Sequence, residues 1–384
     1  MATTGDGGPA RPGDTGAAPP PGDGSGGSRP RTTFPGEVRS AVSGRAALLI
    51  TGVLLLQLAF IASYIGAFHD PSPHRIPIAV AAPEQIRDTA AERLGSLPGE
   101  PLEVTAEAAD AADARRLIRE REVDGALVID PQGTTDTLLV ATGAGSALAQ
   151  ALEEVVARAE QAQRRELRVA DVAPVDAGDS RGLTSFYLVV GWCVGGYLCA
   201  AALAVSAGAR PANTHRAVIR LGVLAVYAVL GGLGGALVAG PVLGALPGST
   251  PGFWGLGALL VFAVGATTLA LQGLAGTVGI GLAILIVVIA GNPSAGGPYP
   301  YPLLPDFWRT IGPALPPGAA TWSVRSIAYF GGNAMTGPLL VVSAWAVGGA
   351  LITLVLAALR GGRQHLHLRS DPSGTAEYPN SPMS

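Results

Sequence analysis

The sequence predicts an α-helical polytopic membrane protein with six transmembrane helices and an extracytoplasmic α/β domain inserted between the first and the second. Three observations support this fold class: a mean hydropathy of +0.39 with only 14% charged residues, long apolar runs without a charged side chain, and one acidic segment with alternating strand and helix patterns. Soluble domains have about 25% charged residues, so the composition is typical of a membrane protein.

Six apolar runs account for the predicted spans. Each has about 20 residues, which is long enough for a helix to cross a hydrocarbon core of about 30 Å. The runs are Ala46–Phe68, Leu183–Ala207, Leu221–Gly240, Phe253–Leu271, Leu274–Gly291 and Pro338–Leu359.

These runs divide the chain into five segments. They are a disordered cytoplasmic tail and interfacial segment at 1–45, the first transmembrane helix at 46–68, the extracytoplasmic α/β domain at 69–182, five transmembrane helices at 183–360 with a re-entrant external loop at 292–337, and a disordered cytoplasmic tail at 361–384.

The distribution of Arg predicts the orientation. All 25 basic residues are Arg. Among the short segments that flank the runs, Arg concentrates before the first run, in the connection 209–220 and after the last run, whereas the connection 241–252 has none. Cytoplasmic segments flanking membrane helices carry the excess of basic residues. We therefore expect a multi-pass protein of the plasma membrane with both termini cytoplasmic.

The segment 69–182 has the pattern of a folded α/β domain. Its predicted order is βαβαββαβ, and about 110 residues are enough for a domain with its own core. The predicted strands are His74–Ala82, Leu102–Thr105, Asp124–Ile129, Thr135–Ala141 and Glu166–Val175, and the predicted helices are Glu84–Leu97, Ala108–Glu122 and Ser146–Arg165.

The residue types that are missing limit how the protein is powered. A P-loop ATPase needs a Lys for the β- and γ-phosphates, and the chain has no Lys. Ion-coupled carriers usually place Asp, Glu or His inside their membrane helices, and none occurs in the six runs. Energy for any transport is therefore expected from another polypeptide.

Candidate residues for chemistry are few. Cys193 and Cys199 lie in one apolar run and are interpreted as packing residues, and His69 and His74 have no further partner for a metal site. We therefore expect no enzyme activity, no catalytic, metal or cofactor-binding residue, no cofactor, and no nucleic-acid partner.

The last external segment carries a resemblance to a known family. Residues 291–332 read GNPSAGGPYPYPLLPDFWRTIGPALPPGAATWSVRSIAYFGG, the strand after the first run contains IPIAVAAP, and 114–131 read ARRLIREREVDGALVIDP. With one span, an external α/β domain and five further spans, this pattern resembles ABC-2-type exporter permeases, and the YhgE/Pip (phage infection protein) branch in particular.

The resemblance implies a permease that moves an amphipathic or lipid-like compound outward. Its partners would be a separate P-loop ATPase subunit, a second permease in a homodimer or heterodimer, and membrane lipid. Two alternatives remain open: a non-transporting receptor or scaffold that presents the external domain to an envelope partner, and a membrane-embedded enzyme.

Three groups of residues are the predicted functional positions. An ATPase-coupling role is assigned to the connection 209–220, the alternative being that its basic residues only set the topology; the residues are Arg210, His215, Arg216 and Arg220. An external gate or re-entrant loop, or alternatively an interfacial anchor, is assigned to Phe307, Trp308, Arg309, Trp322 and Arg325. Helix packing through small-xxx-small spacing is assigned to Gly191, Gly195, Gly231 and Gly235.

The external loop has a predicted local structure of its own. Prolines forbid a straight helix, so Pro300–Ile327 should fold as two short helices broken at Pro313–Gly318. Arg309 and Arg325 are expected near lipid phosphates or near an anionic group of a substrate.

Overall fold

The structure is a computed structural model that describes residues 43–369. The predicted tail 1–45 lies outside the described residues except at 43–45, and the predicted tail 361–384 is described only to Arg369. The chain divides into two compact units, one ending at Val53 and one beginning at Leu54. The α/β domain and all helices after it belong to the second unit.

Eleven α-helices and five strands make up the described residues. The helices are α1 (Gly44–Phe68), α2 (Glu84–Gly95), α3 (Ala111–Arg119), α4 (Ser146–Ala162), α5 (Thr184–Ala207), α6 (Thr214–Leu237), α7 (Thr250–Ala275), α8 (Val278–Ile284), α9 (Asp306–Ile311), α10 (Pro316–Tyr329) and α11 (Thr336–Arg369). The strands are β1 (Ile76–Ala81), β2 (Leu102–Ala108), β3 (Gly125–Val128), β4 (Thr135–Val140) and β5 (Glu166–Asp171).

Five helices among the described residues are long and apolar enough to cross a membrane, which indicates a multi-pass membrane protein. They correspond to Ala46–Phe68, Thr184–Ala207, Thr214–Val242, Thr250–Ala275 and Thr336–Gly361. The last of them is part of α11, whose helix continues beyond residue 360, the predicted end of the membrane region.

The prediction of six full-length membrane helices is not confirmed. The apolar run 274–291 forms a shorter helix, Val278–Gly291, in which α8 continues as π-helix from Leu285. Its first residues belong instead to the end of α7 and to the turn at Gly276, which has φ +64° and donates its N–H to the Gln272 carbonyl. At 1.5 Å per residue the remaining helix is about 20 Å long, shorter than a hydrocarbon core of about 30 Å.

The α/β domain has one five-stranded sheet in the order β2-β1-β3-β4-β5. All neighbouring strands are parallel except β3 and β4, which are antiparallel with Gly125 opposite Val140. The predicted order βαβαββαβ is confirmed, with element ends shifted by a few residues.

Each face of the sheet has its own apolar core, and the segment 292–337 contributes to both. On one face, α2 and α4 cover residues such as Ile78 and Leu138, and Leu303 joins this core. On the other face, α3 covers residues such as Ala79 and Leu139, and Phe330 at the end of α10 joins it. The domain therefore does not complete its core with its own residues alone.

Helix α7 is the centre of the helical part, because most of its residues are buried against other helices. Three neighbours approach it closely through glycines. A Cβ atom added at Gly232 of α6 would lie 2.4 Å from the backbone nitrogen of Ala258 in α7. One added at Gly196 of α5 would lie 2.7 Å from the Val261 carbonyl oxygen, and one added at Gly349 of α11 would lie 2.5 Å from the Thr267 backbone nitrogen. Small residues at these positions let the backbones approach, as membrane helices require for close packing.

Candidate functional site

The segment predicted to be an external loop folds as two short helices, as predicted. Helix α9 ends at Ile311, a 3₁₀ turn covers Gly312–Ala314, and α10 begins at Pro316. The second helix begins inside the predicted break because proline is tolerated in the first helical turn, where its missing N–H has no partner to lose. Ten of the 14 residues of α10 are buried, and the helix packs against α5, α7 and α11.

Arg121 joins the α/β domain to α10. It follows α3 with φ +61°, and the bonds from Arg121 N–H to the Ile118 carbonyl and from Glu122 N–H to the Leu117 carbonyl close the helix end. This is the Schellman arrangement, in which glycine is the usual residue at the left-handed position. A non-glycine residue there costs about 1 kcal/mol or more. The side chain at this position therefore has contacts that offset the backbone strain.

Those contacts lie on α10 and on Phe330, which directly follows it. The Arg121 guanidinium donates to the Trp322 carbonyl at 2.9 Å and to Ser326 Oγ at 2.7 Å. Its central carbon lies 3.4 Å from the centroid of the Trp322 ring, a cation–π contact. Such a contact contributes up to about 2 kcal/mol when it is desolvated. Arg121 therefore holds the sheet domain and the broken helix together.

Arg325 of α10 binds the proline-rich segment that precedes α9. Its side chain is 4% exposed, and its two terminal nitrogens donate to the carbonyls of Gly296 at 2.6 Å and Gly297 at 2.8 Å. The expectation that Arg325 contacts lipid phosphates is wrong for this structure, because the guanidinium is enclosed by protein. The sequence pattern missed this because an Arg near aromatic residues is equally typical of a membrane surface.

These two arginines line one small cavity between the sheet and α10. We call it the junction cavity; its volume is about 30 Å³, and Asp124, Tyr301 and Trp322 also line it. Burial raises the pKa of the Asp124 carboxyl to about 6 and lowers the pKa of the Arg121 guanidinium to about 9. Both shifts have the direction expected when water is removed from a charged group.

A second contact joins the sheet domain to the helices. Asp179 is 4% exposed; it accepts hydrogen bonds from the Thr184 N–H and hydroxyl at the start of α5 and from the Tyr329 hydroxyl at the end of α10. The Tyr329 ring lies against Gly143, where an added Cβ atom would be 2.6 Å from Tyr329 Cγ. The Asp179 carboxylate therefore binds both the start of α5 and the end of α10.

The other predicted residues of the external loop lie at or near its surface. Phe307 is 62% exposed and stacks edge-on against Trp308, with ring centroids 4.9 Å apart. Arg309 pairs with Asp306 at 2.5 Å. Trp322 is the exception, because it stacks with Tyr301 and donates its indole N–H to the Ala334 carbonyl. The structure thus brings Trp322 and Arg325 to the junction cavity and leaves Phe307 and Arg309 outside it.

The predicted coupling loop divides into two pairs of residues. Arg220 is buried and donates to the carbonyls of Ala207 and Gly208 at the end of α5, and Arg210 donates to the Leu274 carbonyl at the end of α7. Helix C-termini have unpaired carbonyls and a partial negative charge, so these arginines act as caps. His215 and Arg216 are exposed in the first turn of α6.

Of the four predicted packing glycines, Gly235 and Gly195 lie close to side chains of the facing helix, where an added Cβ atom would be 2.3 Å from Trp192 Nε1 and 3.1 Å from the Tyr227 hydroxyl. An atom added at Gly191 meets nothing within 4 Å, and Gly195 and Gly231 face the Tyr227 side chain. Gly235 faces the Trp192 ring, and all four line an apolar groove of about 400 Å³ between α5 and α6. The close crossings with α7 involve Gly196, Gly232 and Gly349 instead, as described above.

Sequence analysis did not single out three of the residues that form the junction. They are Arg121, Asp124 and Asp179, and Arg121 lies between the charged residues Glu120 and Glu122, which resemble a solvated helix face. Asp124 is predicted only as the first residue of a strand, and Asp179 only as part of the acidic segment. A signal was present for Arg121 alone, because a helix ending without Gly before a strand makes the residue at the left-handed position unusual.

Within residues 43–369 no group of three or more His, Cys, Asp and Glu side chains is placed to hold a metal ion. The side chains that converge at the junction are two guanidiniums, a carboxyl, a phenol and an indole, which suit hydrogen bonding and charge compensation. Comparison of the chain with models of known protein families, with curated proteins and with solved structures finds no match.

Proposed function

We propose that this chain is the permease subunit of an ABC-2-type exporter, which moves an amphipathic or lipid-like compound outward and is driven by a separate ATPase. The observation that carries the proposal is the proline break between α9 and α10, after which α10 is buried against long apolar helices and attached to a sheet domain. Non-helical backbone at membrane depth is tolerated only where it is packed in protein or lines a wet cavity, and transporters use such broken helices at their substrate paths.

A second feature supports an outside source of energy. The caps of Arg210 and Arg220 fix the connection between α5 and α6 to the helix ends, while His215 and Arg216 remain exposed beside them. A rigid loop with free basic side chains suits a partner with acidic residues. We therefore assign the ATPase contact to His215 and Arg216 and a positioning role to the two capping arginines.

A photo-crosslinking amino acid placed at Arg216 tests the partner. In cells that express the full chain, we expect position 216 to form a crosslink to a P-loop ATPase. Gln132, which is exposed on the α/β domain, is the matched control and should give no ATPase crosslink. A correctly inserted protein without an ATPase crosslink at 216 would overturn the proposal. Crosslinks to an envelope protein at 132 alone would support the receptor or scaffold interpretation.

The double variant His215→Ala, Arg216→Ala tests coupling. With the chain and its ATPase reconstituted together, we expect ATP hydrolysis to lose its stimulation by substrate, while insertion and thermal stability remain as in the wild type. Both side chains are exposed, so no buried contact is lost. Normal stimulation in the double variant would refute the contact role of these two residues.

A further inference from the structure

Two guanidinium groups line the junction cavity without a paired carboxylate. The ion pairs formed within residues 43–369 include neither Arg121 nor Arg325. Asp124, the carboxylate that lines the cavity, is not within ion-pair distance of either. The partners of both arginines are neutral: carbonyl oxygens, a hydroxyl and an indole ring.

Donors at the cavity also remain unused. Arg325 Nε and the Tyr301 hydroxyl are buried and have no hydrogen-bond partner. Since the great majority of buried polar side-chain atoms are bonded to protein or to ordered water, two free donors beside one cavity indicate a missing acceptor. An acceptor that binds both guanidiniums would satisfy the donors and the charge at once.

The charge of the cavity favours an anion over water alone. Among the side chains that line the cavity, two guanidiniums face one carboxylate, so the lining itself carries one excess positive charge in a partly shielded site. Asp179, which does not line the cavity, offsets part of the charge on Arg325. Removing an ion from water costs several kcal/mol even after relaxation of the protein, and neutral carbonyls compensate only part of that cost. One monovalent anion balances the charge of the lining side chains.

The size of the cavity limits which anion fits. A single water needs about 10–15 Å³ of such volume, and the junction cavity has about 30 Å³. This space admits one halide ion or two waters, and it excludes a phosphate ester, a sugar or a nucleotide. We propose that the junction cavity binds one small monovalent anion of chloride size between Arg121 and Arg325.

The anion would connect two parts of the molecule. Arg121 belongs to the sheet domain and Arg325 to α10, so a shared anion adds a contact across the junction. The inference does not depend on the exporter proposal, because it concerns the stability of the folded chain. A protein that transports nothing would show the same effect.

Halide-dependent unfolding of the full chain in detergent is the test. At constant ionic strength, the unfolding temperature should rise in a saturable manner when chloride or bromide replaces gluconate, which is too large for the cavity. Arg121→Gln should abolish this rise. Arg309→Gln is the matched control, because Arg309 lies in the same segment and pairs with Asp306 outside the cavity.

Two outcomes would overturn the proposal. An unfolding temperature independent of halide would mean that the cavity holds only water, and a halide effect that persists in Arg121→Gln would place the anion elsewhere. Crystals of the wild-type protein soaked in bromide provide a measurement that needs no variant. We expect an anomalous scattering peak between Arg121 and Arg325, and its absence at saturating bromide would also refute the site.

Discussion

At the scale of single residues, arginine has two different structural uses in this chain. Arg210, Arg220 and Arg360 donate to carbonyls at the C-terminal ends of membrane helices. Arg121 and Arg325 instead bridge separate segments at the sheet domain. Both uses rely on the planar, multiply donating guanidinium, which a Lys ammonium does not reproduce.

Replacing Arg325 should be far more damaging than replacing Arg309. Arg325→Gln loses two charge-assisted hydrogen bonds in a buried site, which we expect to lower stability by roughly 3 kcal/mol. Arg309→Gln loses one ion pair at the surface, which contributes less than about 1 kcal/mol. Thermal unfolding in detergent, together with the amount of protein at the cell surface, measures both. Equal losses of stability in the two variants would contradict a structural role of the hydrogen bonds from Arg325 to Gly296 and Gly297.

A cluster of four charged residues lies inside the α/β domain. Glu160 of α4 is fully buried; Arg93 Nη2 lies 2.7 Å from one of its oxygens and Arg165 Nε lies 3.8 Å from the other. Asp136 is also fully buried and pairs with Arg165 at 2.5 Å. Burial is the main cause that raises the pKa of Glu160 to about 7, and the hydrogen bond to Asp136 is the next. The pKa of Asp136 is lowered instead, because its carboxylate accepts hydrogen bonds from Arg165 and from the Asp130 backbone.

Glu160 should make the domain less stable as the pH rises toward neutrality. In the unfolded chain its carboxyl loses the proton near its ordinary pKa of 4.5, but in the folded chain it does so only near 7. Its stabilising contribution is therefore present below 4.5 and is lost as the pH rises through 7.

Glu160→Gln tests this dependence, because the amide does not titrate. We expect the unfolding temperature of the full-length variant to fall less than that of the wild type between pH 5 and pH 8. Glu154→Gln, an exposed position on the same helix, is the matched control and should keep the wild-type slope. If the unfolding temperature of Glu160→Gln fell as steeply with pH as that of the wild type, another group would be the cause of the pH dependence.

At the scale of elements, the bundle depends on how closely its helices approach α7. Gly232→Ala would bring a Cβ atom to 2.4 Å from backbone of α7, so α6 must move away. Overpacking of this kind costs about 1–3 kcal/mol. Gly234→Ala, two residues further along α6, meets nothing within 4 Å and should be neutral. Unfolding of the two variants in detergent, side by side, measures the difference; equal stability would contradict the close crossing.

The broken segment illustrates how an element obtains partners that its own backbone does not provide. Prolines interrupt the helix between α9 and α10, where the Ala314 carbonyl accepts from the Trp345 indole N–H. Before α9, the carbonyls of Gly296 and Gly297 accept from Arg325. The carbonyl of Pro302 accepts from the His74 N–H at the start of the sheet domain. Carbonyls along the proline-rich segment therefore find partners on a buried guanidinium, on an indole of α11 and on the sheet domain.

At the scale of the whole molecule, the predicted orientation has a direct test. In a background without Cys193 and Cys199, an impermeant thiol reagent should label Gln132→Cys in intact cells and should label His215→Cys only after the cells are opened. Both positions are exposed, so access depends only on the side of the membrane. Labelling of position 215 from outside would overturn the prediction that the Arg-rich connection is cytoplasmic.

The sequence by itself determined the class of the protein and most of its elements. Hydropathy alone located five long apolar helices, because each is continuous over about 20 residues. The alternating patterns in 69–182 predicted the strands and helices of the sheet domain in the right order, because burial on one face imposes a period on each element. Proline predicted the break between α9 and α10, because it removes a backbone donor.

Only the tertiary structure decided which of these residues meet. The sequence predicted Arg325 near lipid phosphates or near an anionic group of a substrate and gave no role to Arg121, yet the fold brings both to one cavity from positions 204 residues apart. The fold also places Leu303 and Phe330 in the two cores of a sheet that precedes them in the chain. The hydrophobic periodicity of a sequence predicts on which face of its own helix or strand a residue lies. Contacts between distant segments depend on how those elements pack, and local pattern carries no information about that.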